Sequence, residues 1–273
     1  MLEIPESTTI SRQAGSLLVN KRITRVVNAT SPHKFAFFNG DPAGYPDLLT
    51  GKQITSARGH GMFVDLLLEH DTCLSISDGT NMRYYSPTEP TPDKHQLLLL
   101  LDDGGGIAFT VAMYGGIWAF QGVLDNKYYQ GSLASLSPLQ DAFDEPFFDK
   151  LLHGVTKDLS LKALLATEQR IPGLGNGVLQ DILFNAGLHP KRKKSTLSDT
   201  QKSDLFRSLK TTLRSMTNLG GRDTEKDLSG QSGGYKTLLS KNTVNDPCPR
   251  CGGGIRKEAY LGGAVYYCVD CQS

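Results

Sequence analysis

Short apolar runs separated by glycine, aspartate, asparagine and proline dominate the chain from Arg22 to Phe120. Each run has the length of a β-strand, and many such runs at this spacing are typical of an all-β sandwich or barrel-like domain. The sequence Asp102-Asp-Gly-Gly-Gly106 predicts a hairpin turn between two of them. The predicted strands are Ile23–Val27, Phe35–Phe38, Met62–Leu68, Cys73–Ile76, Gln96–Leu101, Ile107–Ala112 and Ile117–Phe120.

The apolar positions follow a helical period on both sides of this region. Near the start they predict a helix over Ser7–Asn20, with Ser7 or Thr8 as its cap. The segment Leu133–Pro146 is predicted to be a linker, and the polar, glycine-rich Gly220–Asn245 a long loop. Four further helices are predicted at Phe147–His153, Leu161–Thr167, Gly177–Ala186 and Ser198–Met216, the last capped near Ser198.

Composition and charge add modest information. With 273 residues, 38% hydrophobic and 21% charged, the chain has the composition of a soluble globular protein of about two domains. Its longest apolar run, Leu97–Leu101, is far too short to span a membrane. Residues 1–136 carry 10 Lys and Arg against 13 Asp and Glu, a balance of −3, and residues 137–273 carry 19 against 15, a balance of +4. The basic second half favours a polyanionic partner.

Two Cys-x-x-Cys pairs lie at the end of the chain, Cys248 with Cys251 and Cys268 with Cys271, sixteen residues apart. This spacing is typical of a four-cysteine zinc ribbon, in which four thiolates leave no open position and the metal is structural. Two disulfides or four free thiols are the alternatives. No signal-peptide pattern is visible and Cys73 is isolated, which favours a reducing compartment and therefore one structural Zn²⁺ ion.

A glycine-rich stretch, Gln169–Val178, connects two predicted helices. Its last residues present backbone N–H groups at a helix start, where a phosphate can bind and where Asn176 can add a side-chain donor. A simple helix connector explains the stretch equally well. The basic run Lys191–Lys194 is either a solvated surface segment or a contact to a phosphate backbone.

Several motifs occur here in one order: Glu-x-Pro-Glu at residues 3–6, Pro172-Gly-Leu-Gly-Asn176, Asn185-Ala-Gly-Leu-His-Pro190 and the four-cysteine finger. Together they resemble the formamidopyrimidine-DNA glycosylase / endonuclease VIII family of base-excision repair enzymes over essentially the whole chain. The resemblance implies an α+β multidomain fold. We expect an N-terminal β-sandwich with an N-terminal helix (residues 1–136), a helix–two-turn–helix domain with the lesion loop (137–244) and a zinc finger (245–273).

The resemblance also implies a set of catalytic residues. Family members flip a damaged base out of the duplex and use an N-terminal proline amine as nucleophile, with an adjacent glutamate in acid–base steps. Glu3 and Glu6 match the acidic positions, but Leu2 stands in place of the proline. Because bulky Leu2 hinders removal of Met1, the free amine would belong to Met1, displaced by about 3.3–3.6 Å, the reach of one extended residue. Glu3 and Glu6 are otherwise ordinary acids at a helix start.

Other family positions are matched or replaced. His60 stands at the position of a hairpin lysine and can act as an acid or base near neutral pH, although alone it is an ordinary loop residue. Asp78, Tyr114 and Gly263 replace side chains that intercalate or clamp phosphates. The resemblance places Asp181 at a structural acidic position. The expected DNA-binding residues are Lys162, Gly175 and Asn176 of the helix–two-turn–helix region, Tyr235 of the loop that closes over the base, and Arg256 of the finger.

The sequence therefore predicts a glycosylase-like protein that binds damaged duplex DNA and hydrolyses the glycosidic bond of a flipped base. Abasic-site lyase activity is expected to be weak or lost because the proline is absent. The alternative is a catalytically inactive protein that binds damaged bases or abasic sites. Expected partners are double-stranded DNA and no membrane, with the protein a monomer in the bacterial cytoplasm, associated with the nucleoid.

Overall fold

The computed structural model describes residues 2–273 and has an α+β architecture, as predicted. Its N-terminal part is a sandwich of two sheets with strand orders β1-β7-β8-β6 and β2-β9-β5-β4-β3, in which β2 and β9 pair in parallel and the other described pairs are antiparallel. The strands are β1 (Ile23–Asn28), β2 (Ala36–Phe38), β3 (Ile54–His60), β4 (Phe63–Leu68), β5 (Thr72–Ile76), β6 (Thr80–Tyr85), β7 (Leu97–Leu101), β8 (Gly106–Val111) and β9 (Gly115–Gln121).

The core of the sandwich lies between the two sheets. Side chains such as Leu74, Leu97 and Phe109 are almost wholly buried there, because apolar residues dominate both faces of the central strands. All seven predicted strands are confirmed to within one or two residues, and the turn at Asp102–Gly106 joins antiparallel β7 and β8. Strands β3 and β6 were not predicted. Both are edge strands rich in polar residues, and they lack the short apolar run used to find the others.

The N-terminal helix α1 (Ile4–Leu17) begins three residues earlier than predicted. Its cap is Glu3, not Ser7 or Thr8, and Glu3 and Glu6 form a reciprocal capping box. The helix packs on β3 and β4, and Ile10 and Ala14 enter the sandwich core. Ile4 instead packs into the core of the helical region. The first turn of α1 therefore joins the two halves of the molecule.

The second half is helical up to residue 218. The four helices predicted there are confirmed. Two short helices earlier in the chain, α2 between β2 and β3 and α3 after β9, were missed. Ser198 caps the longest helix, as expected. Residues 219–245 form no helix or strand, but Leu228 returns to the sandwich core. The helices are α2 (Tyr45–Leu49), α3 (Lys127–Ala134), α4 (Glu145–His153), α5 (Leu161–Ala166), α6 (Asn176–Asn185) and α7 (Asp199–Asn218).

A two-stranded hairpin, β10 (Ile255–Tyr260) and β11 (Gly263–Cys268), carries the second cysteine pair. It packs against α6, with Phe184 and Tyr266 in one apolar cluster beside the cysteines. The expected finger architecture is thus present. Within residues 2–273, no helix is both long enough and apolar enough to cross a membrane.

Candidate functional site

The carboxylate of Glu3 occupies the amino end of helix α6. Its Oε1 accepts a hydrogen bond from the backbone N–H of Gly177 at 2.9 Å, and its Oε2 accepts one from Val178 at 2.7 Å. A helix amino end attracts negative charge, but the anion found here is Glu3 and not an external phosphate. Of the two interpretations left open for this turn, the helix connector fits the structure, because an internal carboxylate accepts from the N–H groups of Gly177 and Val178.

The guanidinium of Arg222 lies between Glu3 and Glu6. Its Nε and Nη2 donate to Oε1 and Oε2 of Glu6 at 2.9 and 2.8 Å, and its Nη1 lies 3.5 Å from Glu3 Oε2. All three side chains are 2–3% exposed. A Cβ at Gly177 would overlap Arg222 Nη1, so only glycine leaves room for the guanidinium. One buried cation thus holds two buried carboxylates.

Burial dominates the ionisation of Glu3. It raises the pKa of the carboxyl, and the positive charge of Arg222 and the bonds from Val178 and Gly177 offset this only in part. The negative charge of Glu6 adds to the rise. Glu3 is consequently easier to protonate than an exposed glutamate. That property suits a group that exchanges a proton during a reaction near neutral pH.

A cleft of about 860 Å³ opens beside this cluster. Its walls come from the sandwich, the amino end of α6, the 219–245 loop and the finger hairpin, which meet here. Leu2, Glu6, Gly177 and Arg222 line the side next to Glu3. The volume lies in the usual range for small-molecule and cofactor pockets. It is also ample for one extrahelical nucleotide.

The side chain of Leu2 is buried in the sandwich core and also lines the cleft. Its backbone nitrogen belongs to the peptide bond with Met1, so it has no basic lone pair for attack on a sugar carbon. Met1, the predicted source of an amine, lies outside the described residues. Position 2 therefore supplies packing where the family pattern has a nucleophile.

His60 faces a polar network between the β3–β4 hairpin and helix α3. Its Nδ1 lies 3.1 Å from Ser132 Oγ, its Nε2 lies 3.2 Å from Asp65 Oδ2, and its ring stacks on Phe63. Burial opposes ionisation of Asp65, but His60 and Arg58 hold the pKa of that carboxyl below its ordinary value. Among the described residues no hydrogen bond joins His60 to Glu3 or Glu6. The catalytic role of His60 stays a prediction; in this structure both of its ring nitrogens face Ser132 and Asp65.

Lys162 and Asn176 hold the turn of the finger hairpin. The ammonium of Lys162 donates to the Tyr260 carbonyl, and Asn176 Nδ2 donates to the Ala264 carbonyl at 2.6 Å. Lys162 is only 3% exposed. Both were expected to contact phosphates directly, yet in the DNA-free protein both donate to backbone carbonyls on either side of Gly263. Their immediate effect is to fix the finger against the helical region.

The remaining expected DNA-binding residues differ in exposure. Tyr235 is buried against Asp181 in the core of the helical region, and its role in the loop that closes over a base stays a prediction. Asp181 accepts from the N–H groups of Leu238 and Leu239 at 2.9 Å, the structural role expected of it. A Cβ at Gly175 would lie 2.6 Å from Glu3 Oε1, so this glycine makes room for the glutamate. Arg256 is exposed on β10.

The four finger cysteines form a candidate metal centre. All four Sγ atoms lie within 4.8 Å of one another, with Cys248–Cys271 at 3.8 Å and Cys251–Cys268 at 3.5 Å. A disulfide requires about 2.0 Å, whereas a tetrahedron with Zn–S bonds of about 2.3 Å has edges of about 3.8 Å. The geometry fits a tetrahedral thiolate-bound ion and excludes disulfides between these two pairs. Cys73 is a separate, buried thiol.

Arg222 is the site residue that sequence reasoning missed. It follows Gly220 and Gly221 in a polar loop, 216 positions after Glu6, and no local pattern links the two. The signal that could have found it is indirect: the structure buries Glu3 and Glu6, and two buried carboxylates require a cation.

Comparisons with known proteins agree with this arrangement. A sequence model described as the formamidopyrimidine-DNA glycosylase H2TH domain matches residues 135–227. The chain is 27% identical to proteins named formamidopyrimidine-DNA glycosylase from Acidiphilium cryptum and from Cytobacillus firmus, with full coverage of both chains in each case.

Solved structures give the same result. The MutM (Fpg) protein from Thermus thermophilus superposes with a TM-score of 0.80 at 26% identity, over 99% of this chain and 98% of the other. For the fold alone, the Lactococcus lactis Fpg in a complex with DNA containing an abasic site gives a TM-score of 0.82 at 22% identity, over 99% of both chains.

Proposed function

The chain belongs to the formamidopyrimidine-DNA glycosylase / endonuclease VIII family, and on that premise we propose that it excises a damaged base from duplex DNA by hydrolysis. The observation that carries the proposal is the 860 Å³ cleft beside the Glu3–Glu6–Arg222 cluster. The cleft takes the extrahelical base, and Glu3 is the proton acceptor for the attacking water. Glu3 is adjacent to the cleft through Gly177, which both lines the cleft and donates to the carboxylate.

The proposed activity does not include abasic-site lyase cleavage. A lyase needs an amine that forms a Schiff base with the sugar. The nitrogen of Leu2 is part of an amide. The amine of Met1 would be displaced by about one residue, and such a displacement slows attack on the sugar because reacting atoms must lie about 3–3.5 Å apart. The protein therefore releases the base and leaves the abasic strand intact.

The metal proposed for the finger is zinc. The four thiolates of Cys248, Cys251, Cys268 and Cys271 would hold one ion and leave no open position, so the ion would supply folding energy and no reaction chemistry. Lys162 and Asn176 donate hydrogen bonds to the finger and hold it in position against the helix–two-turn–helix region. Exposed Arg256 on β10 is the proposed finger contact to a phosphate.

A second candidate function is recognition without catalysis. The observation that favours it is that every oxygen of Glu3 and Glu6 already accepts from a backbone N–H or from Arg222. In that case the cleft binds a flipped base or an abasic sugar, and the carboxylates only hold the fold together.

Free-base release separates the two functions. Duplexes with 8-oxoguanine, formamidopyrimidine, an oxidised pyrimidine or an alkylated base are incubated with the protein and with Glu3→Gln. Chromatography with mass detection measures the released base, and fluorescence anisotropy measures binding. Release by the wild type that is lost in a still-binding Glu3→Gln supports the hydrolase. Specific binding without release from any duplex supports the recognition protein.

A further inference from the structure

A second cleft, of about 670 Å³, adjoins the 860 Å³ cleft at Tyr114, which lines both. The Tyr114 hydroxyl donates to Asp78 Oδ2 at 3.1 Å. Because the two clefts meet at Tyr114, the Tyr114–Asp78 pair of the turns β5–β6 and β8–β9 forms the partition between them. The function proposed above assigns no role to the space behind this partition.

Four aromatic side chains, those of Phe37, Tyr114, Trp118 and Tyr128, line the second cleft. Phe37 is 51% exposed and Tyr128 is 47% exposed, and Trp118 forms part of the same lining. Phe37 and Trp118 stand on adjacent strands, β2 and β9, with Phe37 opposite Gly116. Because Gly116 has no side chain, the indole of Trp118 can lie over it; a Cβ there would come within 2.3 Å of Trp118 Cζ2. Exposed aromatic faces of this kind are the usual platforms on which unpaired nucleobases stack.

Polar groups complete the lining. Asp78 Oδ1 is buried and has no hydrogen-bond partner among residues 2–273. A buried acceptor without a donor is unfavourable, and a ligand N–H would satisfy it. Glu168 and Gln169, from the turn before α6, also line the cleft, and both have left-handed backbone conformations, with φ of 64° and 52°. Strain of this type in non-glycine residues clusters at binding and catalytic sites. Nucleobases carry the amino and imino donors that these acceptors require.

We propose that the second cleft binds the unpaired base that stood opposite the flipped nucleotide, so that both members of one base pair leave the stack on opposite sides of Tyr114. The two bases of a pair lie at the same level of the duplex. The two clefts likewise lie next to each other, with the Tyr114–Asp78 partition between them. The first cleft takes the base of one strand, and the second takes the base of the other. This inference rests on the proposed function, since it requires the first cleft to bind damaged DNA.

A binding cycle tests the inference. Three duplexes are compared: one contains a tetrahydrofuran abasic site opposite thymine, one contains tetrahydrofuran opposite a second tetrahydrofuran, and the third is undamaged. Dissociation constants are measured for the wild type, Phe37→Ala, Tyr128→Ala and the control Phe35→Ala. Phe35 is 47% exposed, lies two residues before Phe37 and does not line the cleft. All three substituted side chains are surface groups, and thermal unfolding verifies that each variant is folded.

The expected result is that the wild type binds the thymine duplex roughly 5- to 150-fold more tightly than the doubly abasic one, the factor that corresponds to about 1–3 kcal/mol of stacking per base. Phe37→Ala and Tyr128→Ala should reduce this ratio towards one, and Phe35→Ala should preserve it. A wild type that prefers abasic over intact duplex, but shows no dependence on the opposite base, overturns this inference alone. The inference is also overturned if Phe37→Ala and Tyr128→Ala keep the ratio. No preference for the abasic duplex contradicts the proposed function and removes the inference with it.

Discussion

Arg222 and Glu6 form a two-point ion pair in the interior, with Nε–Oε1 and Nη2–Oε2 separations of 2.9 and 2.8 Å. The backbone N–H of Arg222 also donates to Glu6 Oε1 at 3.1 Å. This pair ties the 219–245 loop to the first turn of α1, and the third member, Glu3, ties both to the amino end of α6. One cation thus connects three segments that surround the proposed base cleft.

Arg222→Met should lower the free energy of unfolding by about 3–5 kcal/mol, because it leaves two buried carboxylates without their cation. The matched control is Arg214→Met. Arg214 pairs with Asp141 at 2.8 Å, but both side chains are largely exposed, and such pairs contribute about 0–1 kcal/mol. Urea unfolding at pH 7.5 measures both variants. Equal effects would show that the buried cluster contributes no more than a surface pair.

The Arg222→Met defect should shrink as the pH falls. Burial already raises the pKa of Glu3 above its ordinary 4.5, and loss of Arg222 raises it further. When the pKa of a carboxyl is higher in the folded state than in the unfolded state, its contribution to stability is fully present below about pH 4.5. This contribution is lost as the pH rises through the folded-state pKa. The difference between wild type and variant should therefore be smaller at pH 5 than at pH 8. A difference that grows on acidification would contradict this assignment.

Asp181 should make the wild type less stable at pH 7 than at pH 4. Burial raises the pKa of Asp181 from 3.8 to about 6, against the two N–H bonds that lower it. At about 1.4 kcal/mol per pH unit the whole shift corresponds to about 3 kcal/mol, of which about 2.4 kcal/mol is lost between pH 4 and pH 7, because the unfolded carboxyl already titrates at pH 4. Asp181→Asn lacks this titration. Stability curves of wild type and Asp181→Asn that run parallel from pH 4 to 7 would refute the shift.

Lys162→Met should weaken DNA binding without changing its salt dependence. Lys162 is buried and donates to the Tyr260 carbonyl, so its loss loosens the finger but removes no phosphate contact. Arg256→Met is the comparison, since an exposed arginine on β10 that pairs with a phosphate should reduce the slope of log K against log salt by about 1. A reduced slope for Lys162→Met would show that the lysine turns to a phosphate in the complex.

Cys251→Ser should release the metal, whereas Cys73→Ala should retain it. Cys251 Sγ lies 3.5 Å from Cys268 Sγ in the four-thiolate cluster, and Cys73 is remote in the sandwich. Elemental analysis should give about one zinc per chain for wild type and Cys73→Ala, since four thiolates fill one tetrahedral site. Damaged-DNA binding should fall with zinc content, because the finger hairpin packs on α6 beside Phe184. A metal content unaffected by Cys251→Ser would place the ion elsewhere.

Segments whose pattern is local could be predicted from the sequence. Apolar runs identified strands such as β7, and the Cys-x-x-Cys spacing identified the metal cluster. Prediction failed where the deciding contacts are not visible in the local pattern. The start of α1 depends on the Glu3–Glu6 capping box, which outcompetes the caps at Ser7 and Thr8.

The residues of the candidate site also divide into those that a local motif identifies and those that depend on contacts between distant segments. Glu3 and Glu6 were identified by motif, but their cation comes from a loop more than 200 positions away. His60 fits a catalytic position by alignment, yet Asp65 and Ser132 hold its ring between the β3–β4 hairpin and helix α3. Lys162 was expected to contact a phosphate, and a carbonyl of the finger turn accepts from it. Residue type and spacing do not encode which polar groups satisfy one another after folding.

The most direct test of base removal without an amine nucleophile is strand cleavage on an end-labelled duplex whose lesion the protein excises. Equal portions are analysed with hot alkali, without alkali and after borohydride, for the wild type and for Glu3→Gln. We predict strand breaks only after alkali, no borohydride-trapped protein–DNA adduct, and no breaks with Glu3→Gln. Breaks without alkali together with a trapped adduct would contradict this prediction, and would show that an amine of the chain attacks the sugar.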